Sequence, residues 1–314
     1  MKSEEYALSK RFLADTTLLL IAFVWGATFL VVQNAIAHLP PNTFNAVRFS
    51  LATLVLLAVV LIFSREQLRR FSRSVWSAGF ILGFLLCLSY GLQTVGLLYT
   101  SSSKAGFITG LSVVLVPLFS YLFLREKLKS VALLGALAAA GGLYLLTAQQ
   151  SLVLNSGDLL VFGCAICFGL QIVFTGKFAK QLPALPLAIV QLGTVALLSW
   201  LYACCFEQWQ SAFAAKTMLQ PQVAWGLLIT AIPGTALAFL GQTALQKFTT
   251  STRVALIFTM EPVFAALTAY VWINERLAVP QLWGCALILG GMLLAELPVP
   301  NWLKKQPVES KKHS

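Results

Sequence analysis

The chain has 314 residues, of which 58% are hydrophobic and only 11% charged, and its mean hydropathy is +0.82. An ordinary soluble domain carries about a quarter charged residues, so this composition excludes that class and points to an integral membrane protein. The formal charge of +11 does not indicate a nucleic-acid partner, because the basic residues stand at the ends of apolar runs, where the positive-inside rule accounts for them.

A hydrocarbon core of ~30 Å is crossed by ~20 helical residues. On that scale the chain reads as ten spans. The first lies near 14–36, behind Lys10 and Arg11. It is too long for a signal peptide and lacks a small-residue cleavage site, so it is read as a span. Four follow near 43–63, 75–98, 103–123 and 130–147, and five more near 156–179, 186–207, 222–245, 251–273 and 280–297. The connections are short and leave no room for a separate soluble domain. Several carry helix-boundary residues, as in the stretch from His38 through Pro40 and Pro41 to Asn42, and in Asn155 to Asp158, where Asp158 suits a helix N-terminus.

The chain matches itself. A shift of 149 positions lays Gln93 on Gln242, Ser102 on Ser251, Tyr121 on Tyr270, Glu126 on Glu275, and Gly135, Gly141 and Gly142 on Gly284, Gly290 and Gly291. A shift of 143 lays Asp15 on Asp158, Gly26 on Gly169 and Pro40 on Pro183, while Arg48 meets Gln191. The chain is therefore read as a tail over 1–13, a first repeat over 14–147, a second over 148–297 and a basic tail over 298–314. Five spans per repeat is an odd number, so the second copy is expected to enter the membrane from the opposite face. With both termini cytoplasmic, Lys104, Lys216 and Arg276 are the basic residues left outside, Arg48 lies within a span, and all others fall on the cytoplasmic side. This bias favours cytoplasmic termini in a plasma membrane.

Within the spans, Gly79 and Gly83, Gly106 and Gly110, and Ala138 and Gly142 have spacings that let helices approach, with spans three and four of each repeat as the expected partners. Ordinary glycine background in membrane helices is the competing reading. Pro117, Pro233 and Pro262 are read as helix breaks, and interrupted helices in corresponding parts of two repeats point to a transporter's binding site. All six cysteines, Cys87, Cys164, Cys167, Cys204, Cys205 and Cys285, lie in apolar runs and read as small hydrophobes. No metal or cofactor site is expected.

Several motifs resemble those of a known group: Trp25-Gly26, Arg48-Phe49, Glu126-Lys127-Leu128, Glu261-Pro262-Val263 and Glu275-Arg276-Leu277, together with the paired Gly141-Gly142 and Gly290-Gly291. In order and spacing they resemble the ten-helix EamA-type family of the drug/metabolite transporter superfamily over roughly residues 14–297. The resemblance implies a basket of ten helices around a central cavity, and transport, often export, of small metabolites, amino acids or drugs. Pro117 lies nearer Glu126 than Pro262 does to Glu275, so the two breaks are expected to be about one turn out of register and the cavity asymmetric.

Glu261 is the leading site residue. An acid at mid-membrane depth is retained facing a bundle interior or a wet cavity. There it would carry a proton or meet a cationic substrate group, or else hold together the break beside Pro262. Arg48, too deep for a loop charge, would bind an anionic substrate group, pair with Glu261 or snorkel to headgroups. Glu126 and Glu275 read as helix-end charges paired with Lys127 and Arg276, with gating the alternative. Trp25, Tyr90, Gln93, Gln171, Phe239 and Gln242 are the expected cavity lining, with plain packing as the alternative for any one of them.

A secondary transporter working by alternating access is the function these features favour. Its partners would be a small-molecule substrate, lipid and, for coupling, protons. The oligomeric state is open. No P-loop is present. An intramembrane enzyme would need a catalytic cluster, yet the histidines are His38 and His313, in a loop and in the tail. A passive channel fits poorly with so few polar residues in the spans.

Overall fold

The computed structural model describes residues 2–126, 130–147, 155–273 and 278–296. Lys127, Leu128, Glu275, Arg276 and the basic tail over 298–314 lie outside the described residues. Among the described residues no strand occurs. In hydrocarbon every backbone N–H and C=O needs an internal partner, and a helix supplies one within a single segment.

The first half of the chain contains α1 (Lys2–Ile36), α2 (Pro41–Phe63), α3 (Arg73–Gly96), α4 (Ser102–Gly110), α5 (Ser112–Leu124) and α6 (Ser130–Thr147). The second contains α7 (Ser156–Phe178), α8 (Ala184–Phe206), the short α9 (Trp209–Ala212) and α10 (Ala215–Met218), α11 (Pro221–Ala231), α12 (Ala238–Leu245), α13 (Ser251–Phe258), α14 (Met260–Ile273) and α15 (Val279–Glu296). Among the described residues, eight helical stretches are long and apolar enough to cross a bilayer, with α4–α5, α11–α12 and α13–α14 each counting as one. Ser130–Leu146 and Val279–Leu294 are apolar but shorter. Exposed apolar side chains such as Leu61, Ile62, Phe63, Phe206 and Trp283 cover the outside, as suits a protein whose solvent is lipid.

Three stretches are interrupted, and only two of the interruptions coincide with proline. Helix α11 runs into a π turn over Ile232–Leu237 that contains Pro233, and α14 begins at Met260 with Pro262 in its first turn, where a missing N–H costs no helical bond. The first-half break instead falls at Leu111, six residues before Pro117, and α5 continues through that proline. Leu111 and Thr259 hold nearly equivalent positions under the shift of 149, so the two breaks are in register and the expected offset of one turn is absent. At both, the chain tightens to i→i+3 bonds, Leu111 N–H to Ile108 O at 3.1 Å and Thr259 N–H to Leu256 O at 3.2 Å.

Small residues work across the two halves rather than between spans three and four. A Cβ on Gly79 would lie 2.6 Å from Val190, and one on Gly83 would lie 2.5 Å from Thr194, both on α8. The tightest seam joins α6 and α15. A Cβ on Gly142 would meet Gly284 O at 2.6 Å, and one on Gly291 would meet Gly135 O at 2.5 Å. As one residue number rises the partner's falls, so these helices cross antiparallel, with Gly135 and Gly142 standing opposite each other's counterparts.

Gly142→Ala and Gly284→Ala should each destabilise by about 1–3 kcal/mol, because backbone is the obstacle and cannot step aside. Gly141→Ala and Gly290→Ala, whose added methyls meet nothing within 4 Å, should unfold at or slightly above the parent temperature in detergent.

Candidate functional site

The first turn of α14 is pressed onto α1 at Gly26. A Cβ there would collide with the carbonyl oxygen of Glu261 and would lie 2.9 Å from both Ala265 N and Phe264 Cβ. The absence of a side chain at Gly26 thus sets how far Glu261 reaches into the bundle. Glu261 lines three adjoining cavities, the largest of them about 350 Å³ when the space open to solvent is counted. Its carboxyl group has no hydrogen-bond or ion-pair partner among the described residues. It lies in the N-terminal turn of a helix, where the backbone dipole favours negative charge. Its counterpart under the shift of 149 is Ser112, in the first turn of α5, and both line one of these cavities.

Arg48 of α2 is 3% exposed, so it does not snorkel to the surface. Its Nε–H donates to Thr235 Oγ1 at 2.7 Å, which in turn donates to Thr230 O at 2.7 Å, and a terminal N–H reaches Gly234 O at 3.4 Å. The indole N–H of Trp25 donates to that same carbonyl at 2.8 Å. Gly234 O lies in the π turn, where the Ala238 N–H bonds to Thr235 O instead. Two side chains from the first half therefore satisfy the backbone at the break in the second. The guanidinium also stacks on Tyr90, 4.8 Å from the ring centroid. Arg48 and Glu261 line the same cavity without forming an ion pair. Thr235 and Gly234 each take one guanidinium N–H, and the Tyr90 side chain is a further hydrogen-bond partner of the group.

Of the expected lining, Trp25, Tyr90 and Gln93 border the cavities with Arg48 and Glu261, and the Gln93 amide donates to Thr109 Oγ1 at 3.1 Å. Phe239 stands behind them, its ring 5.3 Å from Trp25 and 6.2 Å from Tyr90. Gln171 and Gln242 are fully buried away from the cavities. They meet at 3.4 Å, Gln242 also meets Gln246 at 3.4 Å, and the Gln246 amide donates to Ile172 O at 2.6 Å, so this amide ladder fastens α12 to α7. Glu126 follows the left-handed C-cap Arg125 and lies 3.9 Å from Lys180 in an exposed contact.

Sequence reasoning passed over Thr109, Cys164, Phe168, Phe258 and Thr259, which also line the cavities. It also passed over two ion pairs. Lys104 Nζ meets Asp158 Oδ2 at 2.6 Å, and the guanidinium of Arg253 grips Asp15 at 3.0 and 2.6 Å. Laying Lys104 on Arg253 under the shift of 149, as Asp15 falls on Asp158 under 143, was the signal that could have found them.

A helical bundle with an apolar outside, a buried cation, and an acid unpaired among the described residues at a broken helix defines a multi-pass membrane protein. The profile of the EamA-like transporter family matches residues 12–148 and again 155–297, and the chain belongs to that family of membrane transporters. It is 33% identical over 290 residues to an uncharacterized transporter of Archaeoglobus fulgidus, covering 92% of this chain and 88% of that one. It is also 26% identical over 290 residues to a probable amino-acid metabolite efflux pump of Salmonella typhimurium, covering 88% and 92%. A crystal structure at 22% identity superposes with a TM-score of 0.73, covering 90% of this chain and 96% of that one, a likeness of fold.

Trp25→Phe keeps the ring cluster and deletes one N–H, and is expected to cost about 1 kcal/mol, read as a lowered melting temperature in detergent. Gly26→Ala should cost more, because it drives α14 off α1.

Proposed function

We propose that the protein is a secondary active exporter of small zwitterionic metabolites, amino acids foremost, working by alternating access between two inverted five-helix repeats. The observation that carries this reading is a carboxyl group without a partner among the described residues, Glu261, sharing a cavity with the guanidinium of Arg48. An ammonium suits the first and a carboxylate the second, and the rings of Trp25, Tyr90 and Phe168 offer an apolar face to the remainder of the substrate. The name of the Salmonella relative agrees with this chemistry. The antiparallel α6–α15 seam and the twofold match of the family profile support the inverted arrangement. The charge bias supports ten spans with both termini cytoplasmic in a plasma membrane.

Protons are the proposed coupling ion. An acid that is neutral when the cavity is dry and ionised when it is wet takes up a proton on one side and releases it on the other. Glu261 would then alternate between holding a proton and holding the substrate's ammonium group.

Purified protein in liposomes should show saturable uptake stimulated by counterflow, and non-saturable flux would mark a channel instead. Glu261→Gln should abolish transport driven by a pH gradient while retaining exchange, and an unchanged pH dependence would remove Glu261 from the proton role. Arg48→Ala should lose substrate affinity, with Arg48→Lys in between because an ammonium lacks the planar fork. Amino acids with both charged ends should raise the melting temperature of the detergent-solubilised protein, whereas their esters, lacking the carboxylate, should not.

A further inference from the structure

The two ion pairs passed over in the sequence are built alike. Lys104 stands at the start of α4, whose N-terminus is capped by Ser101 accepting from the Lys104 N–H at 3.2 Å. Arg253 stands at the start of α13, capped in the same way by Thr250 at 3.3 Å. Each basic side chain reaches an aspartate on the first long helix of the opposite half, Asp158 on α7 and Asp15 on α1, with a closest approach of 2.6 Å in both cases. All four residues are largely withdrawn from solvent, Asp158 most of all, with its side chain 1% exposed. Asp158 also accepts from Thr100 at 2.7 Å and from the backbone of Asn155 at 2.9 Å.

The helices that carry the cations are the half-helices that end at the breaks. Helix α4 runs from Lys104 to Thr109, ~7.5 Å further in, and α13 runs from Arg253 to Thr259, ~9 Å further in. Thr109 and Thr259 line one and the same cavity. Each half-helix therefore joins the site at its inner end to a cross-half charge clasp at its outer end, and each has a break on the cavity side about which it can swing.

We infer that Lys104–Asp158 and Arg253–Asp15 are the paired gates of the transporter, one closing the cavity toward each face of the membrane, and that transport opens them in turn. The inference rests on the carrier reading with inverted repeats, which sets the outer ends of α4 and α13 on opposite faces. Both clasps are closed in the structure described here. Opening one leaves two charges to be rehydrated, which is tolerable only on the side where water enters. A clasp facing a closed side stays shut for the same reason.

Cys164 lines the cavity and is 1% exposed, so it serves as a native reporter once the other five cysteines are replaced. Labelling by a membrane-impermeant maleimide is followed from each face of sealed vesicles holding the full-length chain. Lys104→Gln should speed labelling of Cys164 about tenfold from one face, and Arg253→Gln by a similar factor from the other, as expected when one arm of a two-state equilibrium is released. The swap of Lys104→Asp with Asp158→Lys should return labelling toward the parent rate. If either glutamine variant fails to accumulate, Asp158→Asn or Asp15→Asn opens the same clasp from the other partner. Faster labelling from the same face in both variants, or unchanged labelling in folded protein, overturns the assignment and leaves the pairs as static clasps. Counterflow by the parent is measured in parallel: its absence would strike the carrier reading itself, whereas intact counterflow with unaltered labelling would strike only the gates.

Discussion

Backbone polar groups at an interrupted helix cannot be left facing hydrocarbon, and the centre of this protein is organised around one carbonyl at such an interruption. Gly234 O lies in the π turn over Ile232–Leu237, and Trp25 and Arg48 converge on it from α1 and α2. A guanidinium so placed is fixed in orientation, over the ring of Tyr90 and at the edge of the cavity that Glu261 also lines. The hydrogen bonds to Thr235 and to the break in the second half are thus what hold this cation at the cavity.

The internal correspondence of the chain explains the scaffold, and its departures explain the chemistry. Positions that match under the shifts of 149 and 143 form equivalent breaks, equivalent helix caps and equivalent cross-half ion pairs. At the cavity the copies diverge. Glu261 stands where the first copy has Ser112, and Arg48 stands where the second has Gln191, which is fully buried and lies outside the cavities. One half thus contributes the acid and the other the base.

Much of this was legible in the residues. The helices follow from hydropathy alone, and a carboxylate beside a proline in mid-span marks Glu261 as a cavity residue without any structure. Three features were not legible, each for a physical reason. Proline was taken as the sign of a break, yet Pro117 sits inside α5 while the break falls at Leu111, which carries no such sign and whose N–H is shared between Phe107 O and Ile108 O. Amides were taken as cavity lining, yet the Gln242 amide donates to Gln171 Oε1 and helps fasten α12 to α7, while Gln171 Nε2 and Gln242 Oε1 have no hydrogen-bond partner among the described residues. Asp158 was read only as a helix N-terminus. It is one, through a reciprocal cap with Asn155, but the same oxygen, Oδ2, also accepts from Lys104 across the halves, and pairing over that distance in sequence is invisible to local pattern.

The seam between α6 and α15 carries a consequence for how the chain can change. Gly142 lies against Gly284 and Gly135 against Gly291, so the two contacts are one contact written twice in opposite directions. A residue inserted or deleted in either helix would slide both meeting points at once and bring a side chain onto backbone. Neither helix is then at liberty to alter its length alone, and the two copies, however far their pockets diverge, stay yoked in dimension along this line.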